Sequence, residues 1–198
     1  MVTPEILRAA FESALPYDAY IATGRPDQQS GWNAFHSRVR LNPEQRELIA
    51  GFSRRVNILV ISGLWCGDCV QQCPILDHLA RVLPAPAGNP DAPGVDLRFV
   101  DRDEHIELSN QVKICGGNRV PTVIFMNEEH EFLSLAGDRT LSRYRAMAGR
   151  KLGPSCPVPG APLPIDEVSA STKDWLEEVE KAHLIVRLSA KLRAKHGD

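Results

Sequence analysis

Along this chain the rhythm of apolar and polar positions changes from helical to strand-like and back. Up to about residue 54 the apolar residues recur at helical intervals. Ile6, Ala9, Ala10 and Leu15 form a loose stripe, Trp32, Phe35 and Val39 a second, and Leu48, Ile49 and Phe52 a third. Thr3-Pro4 offers an N-cap followed by a first-turn proline, and Asn42-Pro43-Glu44-Gln45 resembles a capped helix start. The aromatic residues of this region are read as core packing. From Val56 to Ile61 the pattern becomes a β-branched apolar run closed by Ser62-Gly63, which predicts a strand buried on both faces.

A helix is predicted over about 66–83, then a breaker-rich loop over 84–94. A second strand follows at 95–100 and a helix at 103–112. Residues 122–126 and 131–135 read as a hairpin turning at 127–130, with another helix after Gly137-Asp138. The run Asp101-Arg102-Asp103-Glu104-His105 reads as a strand end and acidic helix cap rather than a metal site. This order is α/β, with the first two strands parallel. A proline-rich stretch at 153–164 leads to a final helix with Trp175, Val179, Ala182 and Val186 on its apolar face. The expected organisation is a helical extension over 1–55, an α/β domain over 56–152, and a proline-rich segment with a C-terminal helix over 153–198. Both extensions are expected to pack on the central domain, because their apolar faces are too large to leave wet.

Composition narrows the function. The 198 residues are 43% hydrophobic and 24% charged, ordinary values for a chain with a real core. A formal charge of -2 and a pI near 6.3 give no basic footprint for nucleic acid. Glu5, Arg8 and Glu12 leave no export-type apolar run, and residues 56–65 are too few to span a bilayer. Five cysteines, three of them between Cys66 and Cys73, argue for a catalytic or metal cluster in a reducing compartment, hence a cytoplasmic protein.

The segment Trp65-Cys66-Gly67-Asp68-Cys69-Val70-Gln71-Gln72-Cys73-Pro74 concentrates the chemistry. At a strand-to-helix junction the first cysteine meets unpaired N–H groups and the positive end of the helix dipole, which favour a thiolate. Such sites lower a thiol into the range of about 3.5–7.5. The second cysteine, one turn on, can resolve a mixed disulfide. Zinc also uses C-x-x-C, but Cys66 and Cys73 on one helix would stand about 10 Å apart along the axis, too far for bonds near 2.3 Å.

The W-C-G-x-C pattern with Pro74 five residues after Cys69 resembles the thioredoxin family. Arg119-Val120-Pro121-Thr122 before an apolar strand resembles that family's cis-proline turn, and Gly137 matches a glycine bordering the same groove. The resemblance covers about 56–150. It implies a thioredoxin-like fold, a central mixed sheet flanked by helices, here with helical extensions at both ends. It implies Cys66 as nucleophile and Cys69 as resolving thiol. Trp65, Gly67, Asp68, Val120, Pro121 and Gly137 would border the substrate chain. No cofactor or metal is implied; the partners would be protein disulfides and an electron-donating reductase or small thiol.

The sequence departs from the family at instructive places. Val60 and Phe99 occupy the positions of a buried Asp and Lys that usually manage the second thiol's proton, and Asp68 replaces a proline. A carboxylate beside Cys66 is expected either to disfavour its thiolate by like charge or to serve only as an acid welcomed at the helix start. Cys73 reads as a small buried hydrophobe, Cys115 as a residue near the site rim, and Cys156 carries no assignment. A rival reading is a redox-poor scaffold that uses its added helices as a partner or homodimer surface.

Overall fold

The computed structural model describes residues 2–152 and 166–198. The proline-rich stretch and Cys156 lie outside them. Four helices open the chain: α1 (Pro4–Ser13), α2 (Tyr17–Ala22), α3 (Pro26–His36) and α4 (Pro43–Ala50). Thr3 caps α1, its hydroxyl accepting from the Ile6 N–H, and Asn42 and Gln45 form a reciprocal capping box at α4. Then come β1 (Arg55–Ser62), α5 (Gly67–Ala80), β2 (Gly94–Asp101), α6 (Ile106–Gln111), β3 (Thr122–Met126), β4 (Phe132–Gly137) and α7 (Leu141–Leu152). After the undescribed segment follow α8 (Glu167–Leu188) and α9 (Ala190–His196). The expected single final helix is two, because Ser189 turns extended and caps α9 through its hydroxyl.

The sheet runs β2-β1-β3-β4, with β1 parallel to β2 and antiparallel to β3, and β4 antiparallel to β3. β1 is buried along almost its whole length and β3 throughout, as expected for strands covered on both faces. On the outer edge of β2, Leu15 exchanges both backbone hydrogen bonds with Phe99, at 2.9 and 2.8 Å. The N-terminal segment therefore extends the sheet by one bridge.

The helical extensions share the core of the sheet. Trp32, Ile49 and Phe52 from the N-terminal part, and Trp175, Val179, Ala182 and Val186 from α8, belong to one continuous buried cluster with β1, β3 and α5. Leu48 points outward instead, and Leu15 and Val39 fall just outside helices. Among the described residues no helix is long and apolar enough to cross a membrane.

Candidate active site at the start of α5

β1 delivers the chain to Ser62, and Gly63-Leu64-Trp65 turns it into α5. The indole N–H of Trp32 donates to the Leu64 carbonyl at 3.1 Å, pinning this turn to α3. Gly63 is needed here, since a Cβ on it would stand 2.7 Å from the Trp65 ring. Trp65 is 52% exposed, with the Arg102 guanidinium 4.5 Å from its ring centroid. Cys66 is the N-cap of α5, and Gly67 opens the helix with free space above it. Pro74 lies inside α5 without ending it, and leaves the Val70 carbonyl without its usual helical donor.

Cys66 is half-buried and Cys69 fully buried, and both are free thiols. The Cys66 thiol donates to the Val120 carbonyl at 3.6 Å, across a Val120–Pro121 bond that is cis, as the resemblance implies. The Thr122 hydroxyl closes this turn by donating to the Arg119 carbonyl at 2.7 Å. Gly137, paired with Thr122 and followed by a cis bond to Asp138, lies directly against it. With φ at 126°, and a Cβ that would sit 2.2 Å from the Pro121 oxygen, position 137 admits only glycine.

The Cys69 side chain, and then burial, push the Cys66 thiol up, although backbone N–H groups of Cys69 and Asp68 pull it down. Burial pushes Cys69 well up too. The sequence leads one to expect a lowered Cys66; a half-buried thiol against a second sulfur outweighs the helix terminus. The two thiols titrate as a couple.

Asp68 is placed differently from the expectation of a carboxylate acting on Cys66. Its two oxygens receive Arg139 at 2.5 Å and Arg143 at 2.8 Å, both reached from the segment after β4. Arg139 continues to Asp138 at 2.7 Å, and Asp138 also takes Arg119 at 3.1 Å and the Tyr144 hydroxyl. Burial pushes the Asp138 carboxyl up, but the Tyr144 hydroxyl and the two arginines more than offset it and hold it below the usual carboxylate range. Gln72, wholly buried, donates to the carbonyls of Asp68 at 3.2 Å and Asp138 at 2.9 Å and accepts from the Thr140 N–H at 3.1 Å. Sequence reading misses Gln72, Asp138, Arg139, Arg143 and Tyr144. Arg139 and Arg143 at i and i+4 are the one local signal.

Elsewhere the acidic run ends β2, where Asp101 accepts from the Asp103 N–H at 2.8 Å, but it does not cap the next helix: α6 starts at Ile106, and its N-cap His105 makes no side-chain cap bond. Cys115 is exposed, with φ at 49°, in the turn before Arg119. Among the described residues Asp91, Glu128 and His196 approach closely enough to share an ion, but the Lys195 ammonium already bridges Asp91 at 3.0 Å and Glu128 at 2.7 Å.

A sequence profile of the thioredoxin family matches residues 14–141, well over half the chain. The chain belongs to the thioredoxin family. That match begins just before the Leu15–Phe99 bridge, so family likeness reaches into the N-terminal helices and beyond the expected start near residue 56. No curated protein matches the sequence. A Pseudomonas aeruginosa protein of unknown function, known from a crystal structure, is 20% identical, with a TM-score of 0.66, covering 92% of this chain and 99% of that one. An HIV epitope-scaffold is 19% identical, with a TM-score of 0.58, covering 96% of this chain and 98% of that one. At such identities these structures share the thioredoxin-like fold and carry no activity across.

Proposed function

We propose that this thioredoxin-family protein is a thiol-disulfide oxidoreductase. Cys66 attacks a disulfide in a protein substrate and Cys69 resolves the mixed disulfide. The observation that carries this is the placement of the Cys66 thiol 3.6 Å from the Val120 carbonyl, beside a shielded Cys69. A substrate chain laid along the Val120–Pro121 turn would bring its sulfur to Cys66, with Trp65, Gly67 and Gly137 bordering it. Asp68 would support that border through its arginines. The electrons would come from a reductase or small thiol in a reducing compartment such as the cytoplasm, with no bound cofactor.

One observation favours the rival, a binding protein with an idle dithiol: apolar Val60 and Phe99 stand where the family's charged pair is expected, directly paired across β1 and β2. Insulin-disulfide reduction separates the two. The wild type should reduce insulin in the presence of a dithiol donor, and Cys66→Ser should lose that activity. A wild type no faster than the donor alone would discard the enzyme reading.

A further inference from the structure

Between α3, α5 and the start of α8 lies a cavity of about 680 Å³, lined by Gly31, Phe35 and Arg38, by Val70, by Arg143 from α7 and by Val168. That volume falls within the about 300–1,000 Å³ of small-molecule sites. Phe35, Val70 and Val168 give it an apolar wall. The Arg38 guanidinium stands over Phe35, 5.4 Å from the ring centroid, and among the described residues no carboxylate pairs with it. The Arg143 side chain is only 10% exposed, and its terminal nitrogens donate to Gln71 at 2.7 Å and Asp68 at 2.8 Å. Its Nε is shielded from solvent and finds no acceptor. A buried N–H without an acceptor is costly, so this edge of the guanidinium calls for a partner.

Two acids also line the cavity, and both are already engaged. Asp166 accepts from the Val168 N–H at 3.0 Å as the cap of α8, and Glu167 faces Arg150 at 3.3 Å and Arg143 at 3.7 Å. What the cavity leaves unmet is therefore positive: the Arg38 head and one edge of Arg143. A carboxylate suits this, because a guanidinium presents paired N–H groups to two coplanar oxygens. A phosphate dianion suits it less, since its second charge would also face Asp166 and Glu167. The apolar wall calls for a hydrocarbon body behind the anionic head.

We propose that this cavity binds a small amphipathic carboxylate, its head on Arg38 and Arg143 and its hydrocarbon body against Phe35, Val70 and Val168. The inference stands apart from the dithiol reading, since it uses neither Cys66 nor Cys69. Gly31 leaves room for the ligand: a Cβ on it would meet nothing within 4 Å, so that wall of the cavity is open. Through Arg143 the site lies one side chain away from Asp68, the residue that separates the two thiols at the start of α5.

The test is calorimetric titration of the full-length protein with octanoate, and with 1-octanol and octylamine as its neutral and cationic counterparts. Octanoate should bind saturably, at one site per chain. It should bind at least about tenfold more tightly than either counterpart, the factor expected for one charge-assisted hydrogen bond. Arg38→Met should remove that advantage. Gly31→Leu, which fills the open wall, should abolish the binding. Both positions are exposed, so each variant should keep its fold, and a thermal melt checks this. Octanoate that binds no more tightly than octanol overturns the proposal. So does the absence of saturable binding, or binding that survives both substitutions.

Discussion

On the outer side of the first turn of α5, Asp68 is gripped by Arg139 and Arg143 and linked through Arg139 to Asp138, Arg119 and Tyr144. On the inner side, β1 and β2 offer Val60, Phe99 and Ser62, with no formal charge among them. The outer charges hold structure: they join the start of α5, the cis-proline turn and the start of α7. Two carboxylates face three guanidiniums there, so most of each charge is offset at close range. On the inner side the second sulfur is fully buried. In this protein, charge fixes the turn that carries the thiols, while burial and the neighbouring sulfur hold their protons on.

The contrast breaks most sharply if a charge is placed inside. Val60→Asp, which restores the family's usual acid, should cost about 3–5 kcal/mol at neutral pH, because it buries a carboxylate without an opposite charge. Burial raises that acid's pKa, so the loss is fullest above the raised folded value. It should shrink as the pH falls and the group protonates in both states. Urea midpoints measured from acid to neutral pH check both the size and the sign. A loss below about 1 kcal/mol would mean that a counter-charge or water reaches this site.

Gly137→Ala probes the outer geometry where it is tightest. The new Cβ would press on the Pro121 oxygen at 2.2 Å in a backbone conformation that alanine avoids. The expected loss is about 3 kcal/mol, with a parallel fall in insulin reduction. Unchanged denaturation would show that the two turns can part without harm.

Asp68→Asn is gentler. It leaves two largely buried arginines short of a partner, a cost of about 1–2 kcal/mol once partial exposure is allowed for. Its sharper readout is the alkylation rate of Cys66. In the wild type that rate should keep climbing above neutral pH, since Cys69 and burial push the Cys66 thiol up. Asp68→Asn should move this profile modestly down, because the guanidiniums it unmasks then favour the thiolate. An unmoved profile would mean that solvent screens this network from the sulfur.

The strands are legible in the sequence because their apolar runs are short, β-branched and bounded by glycine, proline or charge. The observed limits differ from the expected ones by two residues at most. The thiols, the cis-proline turn and Gly137 can be found because each is a local motif. The arginine network cannot: its pairs join Asp68 to Arg139 and Arg143, far away along the chain, and no local period predicts such meetings. The break at Ser189 is hidden because the residues around it, with no Gly or Pro, suit a continuous helix.

The placement of α8 also bears on how the protein is made. Trp175, Val179, Ala182 and Val186 close the same apolar cluster that β1, β3 and α5 begin. A ribosome that has reached the end of α7 has produced the four described strands and the Cys66 and Cys69 thiols, but not the helix that completes their core. At about 5–20 residues per second the nascent chain waits some seconds for it, with apolar surface and free sulfhydryls exposed together. That interval is when chaperone capture and wrong disulfides have their opening.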